Sequence, residues 1–372
     1  RRVLFRSILM EAKARLIAFY LPQYHPIPEN DNWWGKGFTE WTNVGKAKPL
    51  FKGHYQPRVP ADLGYYDLRV PETRIAQADM AREYGVEGFC YWHYWFGNGK
   101  QLIERPFNEV LESREPDFPF CLAWANETWK GFEHGLKNRN VLIEQLYPGE
   151  EDYIEHFYKI LPAFKDSRYL KIDNKPIFMI YRPLANDEIQ IFIKVWRKLA
   201  VENGLNGIYF IGHLNQLNYT VDDILLSGVD GVNTTRLTNY NYNYQTIFSK
   251  LINKANKILF SKPYTFSYKL MSKYFIVDNV DNRDDVFPSI IPGWDHSPRS
   301  GVEGLIMTNS TPKLFEKHVK HVIQLVETKK YDNRIVFLKS WNEWAEGNYV
   351  EPDLKWGNKF LKVIKNQVLL HN

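Results

Sequence analysis

Two glutamates near the end of the chain have the spacing that acid–base chemistry on a sugar requires. Glu343 and Glu346 lie in the turn Trp341-Asn342-Glu343-Trp344-Ala345-Glu346-Gly347, directly after the apolar run Ile335–Leu338, which predicts a buried strand. Reaction at a sugar acetal needs one carboxyl group that delivers a proton and another that acts as base or nucleophile. Aromatic rings pack against the C–H faces of sugars. The turn therefore predicts a carbohydrate site, with Glu343 and Glu346 as catalytic residues and Trp341, Asn342 and Trp344 as substrate contacts.

Exposed acids at the start of a helix are the alternative interpretation of this turn. Two tryptophans and Gly347 argue against it, because a solvated helix face rarely carries two indole rings. Partial burial raises the pKa of a carboxyl group, and a second carboxyl nearby raises the pKa of one of the two further. We therefore expect one glutamate to act as general acid and the other as base.

Eight short apolar runs alternate with helical patterns along the chain. The predicted strands are Leu16–Tyr20, Gly88–Trp92, Phe120–Trp124, Ile177–Tyr181, Ile208–Gly212, Gly231–Asn233, Ser289–Pro292 and Ile335–Leu338. The predicted helices are Pro71–Tyr84, Ile103–Ser113, Glu151–Phe164, Asp187–Asn203, Pro312–Lys329 and Gly357–Gln367. This alternation predicts an α/β fold, a (β/α)8 TIM barrel formed by residues 10–372 as a single catalytic domain. The stretch Thr234–Pro288, between strands six and seven, is too long for a plain loop and should carry extra helices over the top of the barrel.

Functional residues of such barrels lie at the C-terminal ends of the strands, and seven of the eight predicted strands end in polar or aromatic groups. The substrate contacts predicted from these positions are Tyr24, His25, His93, Tyr94, Trp95, Asn126, Glu127, Tyr181, Arg182, Trp294 and Asp295. Gln23 and His213 stand at the same kind of position. Each has an alternative: Asn126 can cap the next element, and a histidine among aromatic rings can simply be a buried, hydrogen-bonded imidazole.

The composition excludes several classes of function. The chain is 44% hydrophobic and 24% charged, as in ordinary globular proteins, but 16% of its residues are aromatic, which favours a ring-lined groove. A net charge of +5 from 48 basic and 43 acidic residues is too balanced to indicate nucleic-acid binding. The sequence has no histidine pair or His/Cys/Asp cluster with metal-ligand spacing, no phosphate loop, no dinucleotide fingerprint and no serine elbow. We therefore expect neither a metal nor another cofactor.

The Lys-rich segment Lys250–Lys273 allows two interpretations. We favour a solvated amphipathic helix pair, because the charge density is modest; the alternative is weak contact with an anionic membrane surface. Cys90 and Cys121 lie in apolar runs and should be buried free thiols, as in a reducing compartment. No apolar run approaches the ~20 residues of a membrane span. We expect a cytoplasmic protein in which residues 1–9, before Met10, are an expression-derived or disordered N-terminus.

Several longer motifs resemble the WbsX-like family. They are Tyr20-Leu21-Pro22-Gln23-Tyr24-His25-Pro26, Trp33-Trp34-Gly35-Lys36-Gly37-Phe38-Thr39-Glu40-Trp41, Gly88–Phe96, Leu122–Glu127, Pro292–Asp295, the turn at 341–347 and Glu351-Pro352. They occur in the family's order from Arg15 to about Leu361. The second motif adds Trp34, Glu40 and Trp41 to the predicted substrate contacts.

This resemblance implies an activity. Proteins of the family are met in bacterial surface-polysaccharide clusters, are often labelled glycosyltransferases, and are similar to glycoside hydrolase family 99, the endo-α-mannosidases, which are (β/α)8 barrels. Their catalytic turn is similar to Asn342–Gly347. The resemblance implies that Glu343 takes the proton of the sugar 2-hydroxyl, while Glu346 protonates the leaving oxygen and then activates water. That retaining route passes through a 1,2-anhydro sugar without metal or nucleotide. Ala345 stands where endomannosidases often have His, so the resemblance does not imply mannose specificity.

Three functions follow as hypotheses, each with an oligosaccharide or polysaccharide as partner. The first is hydrolysis or transglycosylation of a bacterial surface polysaccharide through Glu343 and Glu346. The second is glycosyl transfer from an activated donor, in O-antigen or capsule-type polysaccharide biosynthesis. The third is a non-catalytic glycan-binding barrel, against which the presence of both acids argues.

Overall fold

Eight parallel strands close into a barrel in the computed structural model, which describes residues 12–131 and 135–370. The strands are β1 (Arg15–Tyr20), β2 (Gly88–Trp95), β3 (Phe120–Trp124), β4 (Lys175–Ile180), β5 (Tyr209–Leu214), β6 (Gly231–Thr234), β7 (Val286–Ile290) and β8 (Ile335–Leu338). Each strand pairs with the next in chain order, and β1 pairs with both β2 and β8, which closes the sheet. The predicted (β/α)8 TIM barrel is confirmed. The prediction for residues 1–9 lies outside the described residues.

The strands are continuous apolar runs because both of their faces are covered. Every residue of β1, β2, β3 and β8 is buried, between the barrel interior and the helices outside. Cys90 and Cys121 lie opposite each other on β2 and β3, and both are buried free thiols, as predicted.

Helices follow most of the strands. They are α1 (Pro28–Trp34), α2 (Glu40–Lys46), α3 (Pro71–Glu83), α4 (Arg105–Ser113), α5 (Glu150–Lys165), α6 (Glu188–Glu202), α7 (Val221–Leu225), α8 (Ile247–Phe260), α9 (Tyr268–Met271), α10 (Asp278–Asp281), α11 (Ser297–Ser300), α12 (Pro312–Val326) and α13 (Lys359–Val368). The six predicted helices are all present with ends shifted by at most three residues. Among the described residues, no helix is long and apolar enough to cross a membrane.

Strand β7 differs most from its prediction. The sequence predicts Ser289–Pro292, whereas the structure has Val286–Ile290. Pro288 lies inside the strand and pairs with Thr234 of β6. Because proline lacks a backbone N–H, a sequence pattern with proline argues against a strand at that position. The sequence therefore predicts a start for β7 that is three residues too late.

Long loops at the C-terminal ends of the strands build the upper part of the molecule. The predicted insertion between β6 and β7 is present and carries α8, α9 and α10. Its short strand Tyr264–Ser267 pairs in parallel with Leu305–Thr308 from the loop between β7 and β8. The loop between β1 and β2 carries α1 and α2. These loops surround the end of the barrel where the predicted site residues lie.

Candidate active site

A tight hairpin after β8 holds the two glutamates. The strand pair Asn342–Glu343 and Asn348–Tyr349 is antiparallel, and Glu346 lies in the turn between them. Gly347 closes the turn at φ 57°, a left-handed conformation that favours glycine. A Cβ at Gly347 would lie 2.7 Å from the Cβ of Asp295, so the turn also needs glycine for space.

Glu343 is buried, which excludes the exposed-acid interpretation for this residue. Its Oε1 accepts a hydrogen bond from Trp92 Nε1 at 2.9 Å, and its Oε2 lies 3.5 Å from both Lys339 Nζ and Asn348 Nδ2. The backbone N–H of Glu343 donates to Ser340 Oγ at 3.0 Å. These contacts orient the carboxyl group and place a cation beside it.

Burial raises the pKa of Glu343 to about 6, because the charged form loses its hydration. Lys339 opposes the rise, whereas the neighbouring carboxyl group of Glu346 adds to it. Glu343 can therefore gain or lose a proton near pH 6, within the range where a general acid or base is useful.

Glu346 belongs to a largely buried set of ion pairs. Arg299 Nη1 donates to Glu346 Oε1, and Arg299 Nη2 lies 3.2 Å from Glu40 Oε2. Burial alone would lower the pKa of Arg299, but the carboxylates of Glu40, Glu346 and Glu343 raise it above its ordinary value. Arg299 therefore stays charged between the two acids and holds Glu346 in place.

Two short helices position Glu40 and Arg299. Glu40 is the first residue of α2, whose preceding residue Thr39 accepts the backbone N–H of Trp41 at 3.2 Å. Arg299 lies on α11. Asp295 anchors α11, because its Oδ1 accepts from the backbone N–H and the hydroxyl of Ser297 at 3.0 and 2.6 Å.

A cavity of about 270 Å³ opens beside the two glutamates, at the C-terminal end of the barrel. All eight strands or their following loops contribute to its wall. The lining residues are Leu21, Gln23, Trp92, Tyr94, Ala125, Glu127, Trp129, Tyr181, His213, Asn215, Thr235, Leu237, Thr238, Trp294, Arg299, Lys339, Glu343 and Glu346. We call this cavity the barrel pocket. Aromatic rings beside carboxyl groups and cations form the kind of surface that binds a sugar.

The structure brings six of the predicted site residues into the barrel pocket. They are Tyr94, Glu127, Tyr181, Trp294, Glu343 and Glu346. The remaining predicted residues support the pocket or lie elsewhere.

Four of those remaining residues form the packing beneath the turn at 341–347. Asn342 bonds the backbone of Leu21 on both sides, at 2.8 Å to the N–H and 3.0 Å to the C=O, which fastens the turn to β1. The Tyr24 hydroxyl donates to the Asn342 carbonyl and accepts from the Trp344 N–H at 3.2 Å. Trp41 packs on Tyr24 and Trp344. These side chains position the glutamates.

The predicted histidines are buried imidazoles. A ring nitrogen of His93 lies 2.8 Å from His156, and Trp95 stacks on His156 with ring centres 4.4 Å apart. Burial lowers the pKa of His93 to about 3 and that of His25 to about 4, so both are uncharged near neutral pH. His93 thus matches the alternative interpretation of a buried, hydrogen-bonded imidazole, whereas His25 is buried without a hydrogen-bond partner among the described residues for either ring nitrogen.

Other predicted residues tie loops together. Asn126 donates to the Arg182 carbonyl and accepts from the Arg182 N–H, at 3.0 and 2.8 Å, which joins the loops after β3 and β4. Arg182 pairs with Glu127 at 2.9 Å. Trp341 is fully buried and packs on Phe89.

Trp34 and Asp295 lie outside the barrel pocket. Trp34 is half-buried and stacks on Phe38. Asp295 lines a second cavity of about 520 Å³. Burial would raise the pKa of Asp295, but the hydrogen bond from His54 and the charge of Arg58 lower it below its ordinary value.

Sequence reasoning missed several residues of the barrel pocket. Lys339 directly follows β8, and Thr235 and Thr238 follow β6, the one strand to which no polar end group was assigned. The strand-end rule could have found all three. Arg299 lies nine residues beyond β7, and only the fold brings it to Glu346.

Comparison with known proteins shows the family. The model of the family described as glycosyltransferase WbsX matches residues 16–364, so the chain belongs to this family. A protein of Xanthomonas campestris pv. campestris strain ATCC 33913 named uncharacterized protein WxcX is 34% identical over 96% of this chain and 50% of its own length. The WxcX of strain B100 is 34% identical over 94% of this chain and 48% of its own length. The chain thus spans about half the length of these curated relatives.

Solved structures share the fold. A glycoside hydrolase-like protein superimposes with a TM-score of 0.58 at 15% identity, over 96% of this chain and 94% of that one. A GH99 endo-alpha-mannosidase from Bacteroides thetaiotaomicron, in complex with BIS-TRIS-Propane, has a TM-score of 0.56 at 16% identity over 95% of each chain. These likenesses show the shared barrel fold.

Proposed function

We propose that this member of the WbsX family acts on glycosidic bonds of a bacterial surface polysaccharide through Glu343 and Glu346. One observation carries the proposal: the carboxyl groups of Glu343 and Glu346, both from the last βα loop, line one aromatic pocket at the C-terminal end of the barrel, where burial raises the pKa of Glu343 to about 6. A buried carboxyl pair divides acid and base roles between its members.

The proposed reaction retains configuration. Glu343 takes the proton of the 2-hydroxyl, O2 attacks the anomeric carbon, and the bond from that carbon to the leaving oxygen breaks as Glu346 protonates the oxygen. Glu346 then takes a proton from water or from an acceptor hydroxyl, whose oxygen opens the 1,2-anhydro ring, and Glu343 returns its proton to O2. The N–H groups of Trp92 and Lys339 lie against Glu343 and favour its ionised form, as a base requires.

The charges of the free site favour the opposite roles. The raised pKa of Glu343 favours its protonated form below about pH 6, whereas Arg299 supplies a positive charge that favours ionised Glu346. With Glu343 as acid and Glu346 as base, the same pocket would act on the same glycosidic bond. An acid variant retains its activity on a substrate whose leaving group needs no protonation, so a substrate with an activated leaving group distinguishes the two assignments.

Glycosyl transfer is the second candidate. The family's description names it, and Lys339 and Arg299 place two cations in the barrel pocket, where an activated donor would bring its phosphate groups. Lys339 Nζ lies within 6.0 Å of the ring centres of Phe19, Trp92 and Trp294. Hydrolysis and transfer differ in the acceptor, water or a glycan.

The experiment supplies purified protein with α-linked oligosaccharides, and separately with nucleotide sugars and glycan acceptors. Glu343→Gln and Glu346→Gln should each lower turnover by roughly 10²- to 10⁴-fold, because each removes one proton-transfer group. Glu303→Gln, outside the barrel pocket, is the matched control and should keep full activity. Unchanged turnover in both active-site variants would refute the proposal. Sugar-dependent quenching of tryptophan fluorescence without turnover would instead support the glycan-binding barrel.

A further inference from the structure

Helix α8 presents its apolar side to solvent. Ile247, Phe248, Leu251, Ile258 and Leu259 are between 59% and 79% exposed. Their spacing places them on one side of the helix, and no residue of α8 is buried. Five large apolar side chains on one solvent-facing helix side form the kind of patch that marks an interaction surface.

The polar side of α8 faces the protein instead. Ser249, Asn253, Asn256 and Lys257 recur every three or four residues and are the half-buried positions of the helix. Lys257 pairs with Glu303 and lies over the ring of Tyr264 at 4.9 Å. A surface helix of a globular protein normally turns its apolar side inward. This reversed orientation exposes the apolar side of α8, which indicates that another molecule binds over it.

The charge of the residues around α8 indicates what kind of molecule binds over its apolar side. Between Asp230 and Asp278 the chain has no acidic residue, while it has Arg236, Lys250, Lys254, Lys257, Lys262, Lys269 and Lys273. Lys250 and Lys254 are exposed and border the apolar side of the helix. Exposed Tyr242 and Tyr244 lie just before α8.

We propose that the outward side of α8 docks on an anionic lipid bilayer. A helix with an apolar side bordered by lysines lies in the bilayer interface, with its apolar side about 5–10 Å deep and its lysines at the lipid phosphates. Tyrosines favour the same interface. A second copy of this chain fits less well, because pairing two α8 helices would bring their acid-free, Lys-rich segments together.

The test uses the full chain and sedimentation with vesicles. Vesicles of phosphatidylcholine mixed with phosphatidylglycerol should bind the protein, and vesicles of phosphatidylcholine alone should not. Replacing Lys250 and Lys254 with Gln should weaken binding roughly thirtyfold. The triple change Phe248→Ser, Leu251→Ser and Leu259→Ser should weaken it by at least about a hundredfold.

The matched control changes equally exposed apolar residues elsewhere. Leu226→Ser with Leu354→Ser, at positions 77% and 71% exposed, should leave vesicle binding unchanged. Circular dichroism should show the same fold for all variants, because every substituted side chain is exposed. Equal binding to neutral and anionic vesicles, no binding to either, or full binding by the triple variant would overturn the proposal. A dimer in sedimentation velocity that the triple variant converts to a monomer would also overturn the proposal, since a second copy of the chain would then bind the apolar side of α8.

Discussion

The cation beside Glu343 should control the pH dependence of the reaction. Lys339 Nζ lies 3.5 Å from Glu343 Oε2, and both side chains are nearly buried. Replacing Lys339 with Met removes the positive charge but keeps most of the apolar stem. Because Lys339 lowers the pKa of Glu343, this change should raise that pKa above about 6.

Coulomb's law bounds the size of this effect. At 3.5 Å, two unit charges interact by about 5 kcal/mol at an effective dielectric constant near 20, and by about 1 kcal/mol in a water-like medium. At 1.36 kcal/mol per pKa unit, the pKa of Glu343 should rise by about one to three and a half.

The assay is the pH profile of kcat/KM on a cleaved oligosaccharide. If Glu343 is the base, the wild-type rate should rise with pH through about 6, and Lys339→Met should move that rise to higher pH. If Glu343 is the acid, a fall near pH 6 should move to higher pH instead. Lys362→Met, an exposed lysine on α13, is the matched control and should leave the profile unchanged. A profile without a limb near pH 6, or one that Lys339→Met leaves in place, would refute the assignment of this limb to Glu343.

Three further predictions concern stability and the turn at 341–347. The folded pKa of Glu343 is about 6 against an ordinary 4.5, so ionisation of Glu343 costs the fold about 2 kcal/mol above pH 6, and this cost vanishes below pH 4.5. Glu343→Gln should therefore raise the melting temperature at pH 8 and not at pH 4.5. An equal rise at both pH values would contradict the raised pKa of Glu343. Arg299→Met should lower the free energy of unfolding by about 3 to 5 kcal/mol in urea titrations, because it removes the cation that pairs with Glu40 and Glu346. A loss below about 1 kcal/mol would show that solvent screens these two carboxylates. Gly347→Ala should cost roughly 1–2 kcal/mol for its left-handed backbone alone and should lower kcat through displaced glutamates; normal kcat would show that the turn tolerates a Cβ.

The sequence alone was enough to predict the barrel. Strands covered on both faces must be apolar throughout, so eight runs such as Ile335–Leu338 stand out from the helical patterns between them. Parallel strands then bring all their C-terminal ends to one side, which places the residues after β8 beside those after β2 and β4.

The sequence could not separate residues that line the pocket from those that support it. Trp294 lines the barrel pocket, whereas its neighbour Asp295 anchors α11 and lines the second cavity. Consecutive side chains near a strand end point in different directions, and packing decides which of them meets solvent in the pocket. The same uncertainty applied to His93, which packs against His156.

Contacts between distant segments were decided only by the tertiary structure. Glu40, Arg299 and Glu346 come from three different loops, and no local pattern relates them. For α8 the sequence shows an amphipathic helix, yet only the structure shows that its polar side faces inward. Both cases have the same physical reason. The periodicity of apolar residues along the chain depends on local backbone geometry. The direction in which a helix side or a side chain points, and the residues that it contacts, depend on how the whole barrel and its loops pack.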